Sequence, residues 1–349
     1  MKNTMIAIDV GGTNTRILIA TEENGKVVIL WTKERRIKNK EGLKAFIRKN
    51  LCPLSIRGNA TKCVIGFAGT IAGRREARMT NWKGNDQVSS QDLAEWGLPE
   101  KNICLLNDME SAGYGLLYLA SEKERMAIAC EAVYGADQHE STSFCTANRI
   151  LIVPGTGLGT SAIVAMPGRG NKLQERPIAS EIQHAASSPL DVTHERIIHW
   201  FRKKKGFYPS WEDFTSGQGL KEIYEGICAI RHVALQKRIN WTSGGDPAGI
   251  IASAAVYNKD AQCAEALDLY YGCAGRVAQL LALAFQPYKG VFLGGKSTFK
   301  NATFIRNSRF VMEFQNNLRQ KHLLIKFPIF ILREELNLLG NLWACRHNS

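Results

Sequence analysis

The stretch MIAIDVGGTNTRILIA (residues 5–20) constrains this chain more than any other. An apolar strand runs into Gly11-Gly12, passes through two threonines and an asparagine, and returns as a second apolar strand. That is a hairpin with buried arms and a bend rich in hydrogen-bonding groups. Glycine lets backbone N–H groups approach a polyphosphate closely, and Thr13 and Asn14 add side-chain donors. The same grammar recurs in RILIVPGTGLGTSAIVAM (149–166): strand, glycine turn, strand. Two such hairpins, each opening a run of strands and helices, read as an internal duplication. Their bends are suited to hold one nucleotide from opposite sides. Asp9, at the mouth of the first bend, is placed to engage a magnesium ion directly or through its water shell. A turn-forming aspartate is the plain alternative.

The glycines at 155–160, GTGLGT, also invite a dinucleotide-binding reading, but that motif needs a helix after the turn, with the pyrophosphate on its N-terminus. Here SAIVAM follows, small and β-branched, a returning strand. Between the hairpins, KVVILWTKER reads as a third strand, GLKAFIRKNL as a helix, and KCVIGFAG (62–69) as a strand. NICLL (102–106) is a strand ending at Asn107-Asp108, where MESAGYGLLYLASEKE begins a helix. The polar, aperiodic stretch 135–148 reads as a loop between the two cycles. The second cycle adds a helix at 266–285, strands at 290–295 and 327–332, and a short C-terminal helix.

With 349 residues the chain is long enough for about two domains. Its first residues carry no charged n-region, long apolar segment or cleavage site, and the longest apolar run, near 277–285, is too short to span a bilayer. A cytoplasmic protein with no membrane partner is the default. Nine cysteines are scattered without C-x-x-C pairs, and the histidines show no H-E-x-x-H pattern, so no structural metal is expected. The net charge of +13 favours anionic partners, and KERRIKNK (33–40) and RKKK (202–205) are its local runs. Such runs are ordinarily solvated faces. No helix-turn-helix, zinc finger or aromatic RNA platform accompanies them, so nucleic acid is not the expected partner.

DVGGTNTR (9–16), TNW (80–82), LLNDMESAGYG (105–115), GTGLGTS (155–161), SEIQH (180–184), WEDFTSGQGL (211–220) and GVFLGG (290–295) together resemble the bacterial glucokinase family of the actin-like ATPase superfamily. They come in that family's order and span nearly the whole chain. The resemblance implies a two-domain α/β fold of the ribonuclease H-like, actin-like type, with duplicated hairpin-first units around an interdomain cleft. The expected division is 1–107 and 108–336, with the C-terminal helix, about 337–346, packing back on the first domain. It implies ATP and Mg2+ as cofactors, the phosphates being gripped by Gly11, Gly12, Thr13 and Asn14 and by Gly155, Thr156 and Gly157. Gly294 and Gly295 open the segment on the adenine side, and Asp9 is the metal-side carboxylate. Asp108 corresponds to the general base that takes the proton from the sugar 6-hydroxyl. It follows a strand and starts a helix, where α/β sheets put their ligands; a plain helix N-cap is the alternative. Asn107, Glu181, His184 and Glu212 correspond to sugar ligands, carboxylates and an imidazole being suited to hydroxyls that both donate and accept.

The implied activity is transfer of the γ-phosphoryl group of ATP to a hexose, glucose first, with the domains closing over the sugar to exclude water. A homodimer is what the resemblance implies for assembly. One stretch departs from the family. Its glycine-rich G-E-G-G-H pattern is here Ser180-Glu181-Ile182-Gln183-His184. A β-branched Ile182 is costly at positive φ, so this turn is expected either to take another path or to shape another pocket. Another hexose, or a weak or inactive sugar-binding relative, stays open beside glucose. A sugar-responsive repressor and an ATP-hydrolysing chaperone are further classes; the first is not expected, since the first strand begins by residue 5 and the cysteine-rich zinc element is not seen, and the second would not carry the sugar cluster.

Overall fold

The apolar run at 5–10 shows no polar face because the strand it forms is covered on both sides. In the computed structural model, which describes residues 4–12, 14–23, 26–51, 62–84, 86–135, 148–168, 173–235, 246–257 and 259–347, strand β1 (Thr4–Val10) is buried from Met5 onward. It pairs antiparallel with β2 (Asn14–Glu23), Asp9 opposite Arg16 and Val10 opposite Thr15, and β2 pairs antiparallel with β3 (Lys26–Arg36). On the other side of β1 lie β4 (Lys62–Phe67) and then the C-terminal strand of this sheet, both parallel to it. Alternate residues face opposite sides of a strand. Ile6, Ile8 and Val10 thus share one core with Leu43, Phe46 and Ile47 of the helix Lys40–Leu51. The backbone of β1 is also met by the C-terminal helix Asn337–His347, where Asn341 Nδ2 donates to the Ile8 carbonyl at 2.7 Å.

A small antiparallel sheet of β5 (Gly69–Ala72), β6 (Glu76–Met79) and β7 (Gln87–Ser89) follows β4, and β8 (Ile103–Asn107) then completes the five-stranded order β3-β2-β1-β4-β8. The chain divides into two units, one of Met1–Met126, Arg176–Ala179 and Glu335–Ser349, the other of Ala127–Glu175 and Ser180–Glu334. The break after Met126 leaves the helix Asp108–Ser121 with the first sheet, whereas the sequence reading divides the chain after 107. Packing decides this. The helix lies against the C-terminal helix so closely that a Cβ on Gly340 would sit 1.7 Å from the Ser111 carbonyl oxygen.

The second sheet repeats the first. After β9 (Cys130–Tyr134), β10 (Arg149–Pro154) and β11 (Leu158–Pro167) form the second glycine hairpin, Pro154 opposite Leu158. With β12 (Leu173–Ser180), β13 (Val291–Leu293) and β14 (Ile329–Leu332) the order is β12-β11-β10-β13-β14-β9. Again the hairpin's first strand is flanked by its antiparallel partner on one side and two parallel strands on the other. The duplication expected from the two hairpins is therefore a duplicated sheet topology. The long helix Ala261–Phe285 supplies much of the second core, with Leu267, Tyr271, Ala274 and Val277 packed among Ile150, Ile152 and Phe214. The segment 135–148, expected as a loop, lies outside the described residues but for its two end residues. Among the described residues, no helix is long and apolar enough to cross a membrane.

Candidate active site

In the first unit, β1, β4 and β8 end at one edge of the sheet, and the expected residues gather there. The Gly11 N–H donates to the Asn14 carbonyl at 3.0 Å and closes the bend; Thr13 lies outside the described residues. Gly12 is exposed, and a side chain there would meet Asn81 Nδ2 at 2.6 Å, so the Thr80-Asn81-Trp82 segment backs the bend. Asn14 Nδ2 donates to Glu34. Asp9 is 4% exposed. Burial pushes its carboxyl up to about 6, against the pull of Arg16, whose Nε lies 4.0 Å away. Asn337 Nδ2 donates to Asp9 Oδ1 at 3.4 Å, and Arg16 also pairs with Glu335. Sequence reasoning missed these partners. Asn337 and Glu335 stand more than 300 positions from Asp9, and no local pattern marks them.

Asp108 is the first residue of its helix, but the cap is Asn107: its Oδ1 accepts from the Met109 N–H at 2.8 Å. Asn107 Nδ2 donates to the Gly69 carbonyl at 2.9 Å, tying the helix start to β5. One amide proton and one lone pair of Asn107 remain for a ligand. Asp108 Oδ1 accepts from the same Met109 N–H at 2.9 Å. A carboxylate in the first turn is also favoured by the positive end of the helix dipole. Two residues on, Arg74 grips the buried Glu110 through both terminal guanidinium nitrogens, at 2.5 and 2.6 Å, fixing the helix against the small sheet.

In the second unit the bend between β10 and β11 closes through the Gly155 N–H and the Gly157 carbonyl, 2.8 Å, and the Gly217 N–H donates to the Gly155 carbonyl at 2.9 Å. Gly294 N–H donates to the Ile152 carbonyl at 2.8 Å, and Ser297 Oγ to that of Pro154 at 3.0 Å, so the Gly294-Gly295 turn leans on the end of β10. Gly295 has φ 98° and ψ 148°, a conformation open to glycine alone. Residues 290–297, GVFLGGKS, also spell a phosphate-loop pattern. Strand β13 occupies the middle of that run, so it offers no open loop to wrap an anion.

Three of the four expected sugar ligands stand together. His184 Nδ1 is 3.1 Å from Glu212 Oε2, and its Nε2 is 3.3 Å from Glu181 Oε2. Their side chains are 57%, 29% and 64% accessible for His184, Glu212 and Glu181, so a ligand can reach all three. Glu212 opens the one-turn helix Glu212–Thr215, which is pinned where the Ser210 N–H and hydroxyl both donate to Asp213 Oδ2 at 2.8 Å. Its other oxygen, Oε1, accepts from the Leu158 N–H at 3.2 Å, joining the trio to the glycine hairpin. The departing stretch takes a path of its own. Ile182–His184 is a 3-10 turn entered at φ −112°, ψ 25°, and no residue from 180 to 184 has positive φ. The turn thus accommodates Ile182 and Gln183 without the glycines.

Two sheets of one topology, each opened by a glycine hairpin, with an aspartate at a strand-to-helix junction in the first unit and an acid–histidine trio beside the second hairpin, are the features expected of an actin-like sugar kinase. Comparison with known proteins narrows the class. A family model described as Glucokinase matches residues 6–348, and the chain belongs to the glucokinase family. The glucokinase of Nostoc sp. (strain PCC 7120 / SAG 25.82 / UTEX 2576) is 26% identical over 353 residues, covering 96% of this chain and 97% of its own. That of Cupriavidus pinatubonensis is 27% identical over 329 residues, covering 93% and 86%. In fold, the chain resembles the crystal structure of glucokinase from Balamuthia mandrillaris in complex with glucose, with a TM-score of 0.79, 21% identity, and coverage of 99% and 94%. It also resembles a ROK family glucokinase from Streptomyces griseus in complex with glucose and AMPPNP, with a TM-score of 0.60, 21% identity, and coverage of 98% of each chain.

Proposed function

We propose that this chain phosphorylates the 6-hydroxyl of glucose with Mg-ATP, using Asp108 as general base and Glu181, His184, Glu212 and Asn107 as sugar ligands. The observation that carries the reading is the trio itself: an imidazole between two accessible carboxylates, with Glu212 hydrogen-bonded to the hairpin at Leu158. An alcohol is a poor nucleophile until its proton is accepted, and a carboxylate at the head of a helix can accept it as attack proceeds. Phosphoryl transfer otherwise demands positioning and charge neutralisation more than covalent chemistry. The Gly11 and Gly155 N–H groups close the two bends; the amides of Gly12, Thr156 and Gly157 are suited to the phosphates, and Gly294-Gly295 to the adenine side. Among the described residues no group of three His, Cys, Asp or Glu could hold a metal. A single carboxylate fits magnesium, which is commonly bound through one or two carboxylates, waters and substrate phosphates. Asp9 is the residue that would anchor it, and magnesium when bound offsets phosphate charge. A cytoplasmic location and a homodimer belong to the same reading.

A coupled ADP-release assay over a panel of hexoses tests it. Glucose-dependent turnover is expected, and Asp108→Asn should lower kcat by about 10² to 10⁴-fold. Turnover indifferent to any sugar, or an undiminished Asp108→Asn enzyme, refutes the proposal. Turnover with a different hexose alone corrects the substrate and leaves the mechanism standing.

A further inference from the structure

Position 183 carries glutamine where the glucokinase pattern has glycine. Its side chain is buried, at 6% exposure, and both ends of its amide are engaged. Gln183 Nε2 donates to Glu181 Oε2 at 2.6 Å, and Oε1 accepts from Thr160 Oγ1 at 3.0 Å. The amide orientation follows from chemistry: an ionised carboxylate only accepts, so the reversed amide would set two acceptors 2.6 Å apart. Thr160 lies fully buried on β11, and its one hydroxyl proton is shared between Gln183 Oε1 and the Ser180 carbonyl, the latter 2.9 Å away and just before Glu181. Two residues earlier on β11, the Leu158 N–H holds Glu212. Both carboxylates that flank His184 are thus registered to one strand, Glu212 directly and Glu181 through Gln183.

We infer that Gln183 is a positioning residue for sugar recognition, holding the Glu181 carboxylate toward the ligand side in a way that glycine at this position cannot. The inference rests on the reading that Glu181 is a sugar ligand. Glu181 is well exposed, and an unrestrained glutamate loses rotamer entropy when it clasps a ligand. The bond from Gln183 removes that freedom beforehand and occupies Oε2. Among the described residues Oε1 makes no hydrogen bond, which leaves its lone pairs to accept from incoming hydroxyls. Preorganisation of this kind raises affinity without a new contact to the sugar.

The test is steady-state kinetics of the full chain carrying Gln183→Met, Glu181→Gln or both. Gln183→Met keeps the length of the side chain and removes both bonds. Its glucose KM is expected to rise about tenfold, the scale of one hydrogen bond to a charged group, with the ATP KM and melting temperature nearly unchanged. Because Gln183 acts through Glu181, the double variant should be no worse in glucose KM than Glu181→Gln alone. Should Gln183→Met fail to fold, Gln183→Gly serves, with the same expected rise. An unchanged glucose KM in a folded Gln183 variant, beside a raised one in Glu181→Gln, overturns the inference and leaves the sugar-ligand reading intact. Equal rises in glucose and ATP KM also overturn it, since a merely structural role has that signature. An unchanged glucose KM in Glu181→Gln removes the sugar-ligand reading, and the inference with it.

Discussion

Gly157 shows how much a single residue can decide. A Cβ there would lie 2.2 Å from Glu212 Oε1, so an alanine must displace the carboxylate from the Leu158 N–H. The displaced atom ends a flexible side chain, and Gly157 does not have the positive φ that alanine resists. Gly157→Ala is therefore expected to move stability by less than about 1 kcal/mol while raising the glucose KM, which paired kinetics and thermal melts would check. A melting point that falls with an unmoved KM would mean that Glu212 works only in folding. Asp108 was legible in the sequence because its evidence is local, a strand ending and a helix beginning within a few residues. Gln183 was not, since its meaning depends on Thr160, a residue 23 positions earlier that only strand pairing and the turn bring to it.

Among the elements, the C-terminal helix Asn337–His347 matters most to the placement of Asp108. It crosses the Asp108 helix at paired glycines: a Cβ on Gly340 would meet the Ser111 carbonyl oxygen at 1.7 Å, and one on Gly115 the Leu336 carbonyl oxygen at 2.2 Å. Both obstacles are backbone and cannot swing aside. Gly340→Val should force the helices apart, at a cost of ~3 kcal/mol or more, and should lower kcat as the Asp108 helix shifts. Urea titration and kinetics measure the two effects; a valine accommodated at wild-type stability would contradict the crossing. The same helix carries Asn337 to Asp9 and Asn341 to the Ile8 carbonyl, so one element ties the Asp108 helix to the first hairpin. The helix itself was readable in the sequence. Its docking partners were not, because glycines in two distant segments signal a close approach only once they face each other.

For the molecule as a whole, one source of the response of stability to pH lies in the larger core. His194 is fully buried; its Nδ1 accepts from the Leu190 N–H at 3.2 Å, and Nε2 lies 3.8 Å from Cys273 Sγ. Phe214 packs edge-on against the ring. Burial lowers its pKa from the ordinary 6.5 to about 4. As pH falls below 6.5 the unfolded chain takes up a proton that the folded one refuses, so stability drops until about pH 4, by roughly 3 kcal/mol from this group. His194→Leu should flatten that slope in urea titrations run from pH 7 to 4, and an unchanged slope would remove His194 as the cause. What the sequence determined by itself was local and periodic: two glycine-bent hairpins, the strand-to-helix aspartate, and the doubling of one α/β grammar, since hydrogen-bonding geometry and side-chain alternation act over a few residues. What only the tertiary structure decided was which distant groups share a neighbourhood. The Asp108 helix joins the first unit rather than the second, Asp9 is buried beside Asn337, and Glu181 is steadied by Gln183, because close packing and the satisfaction of buried polar groups are settled between segments and leave no mark on either segment alone.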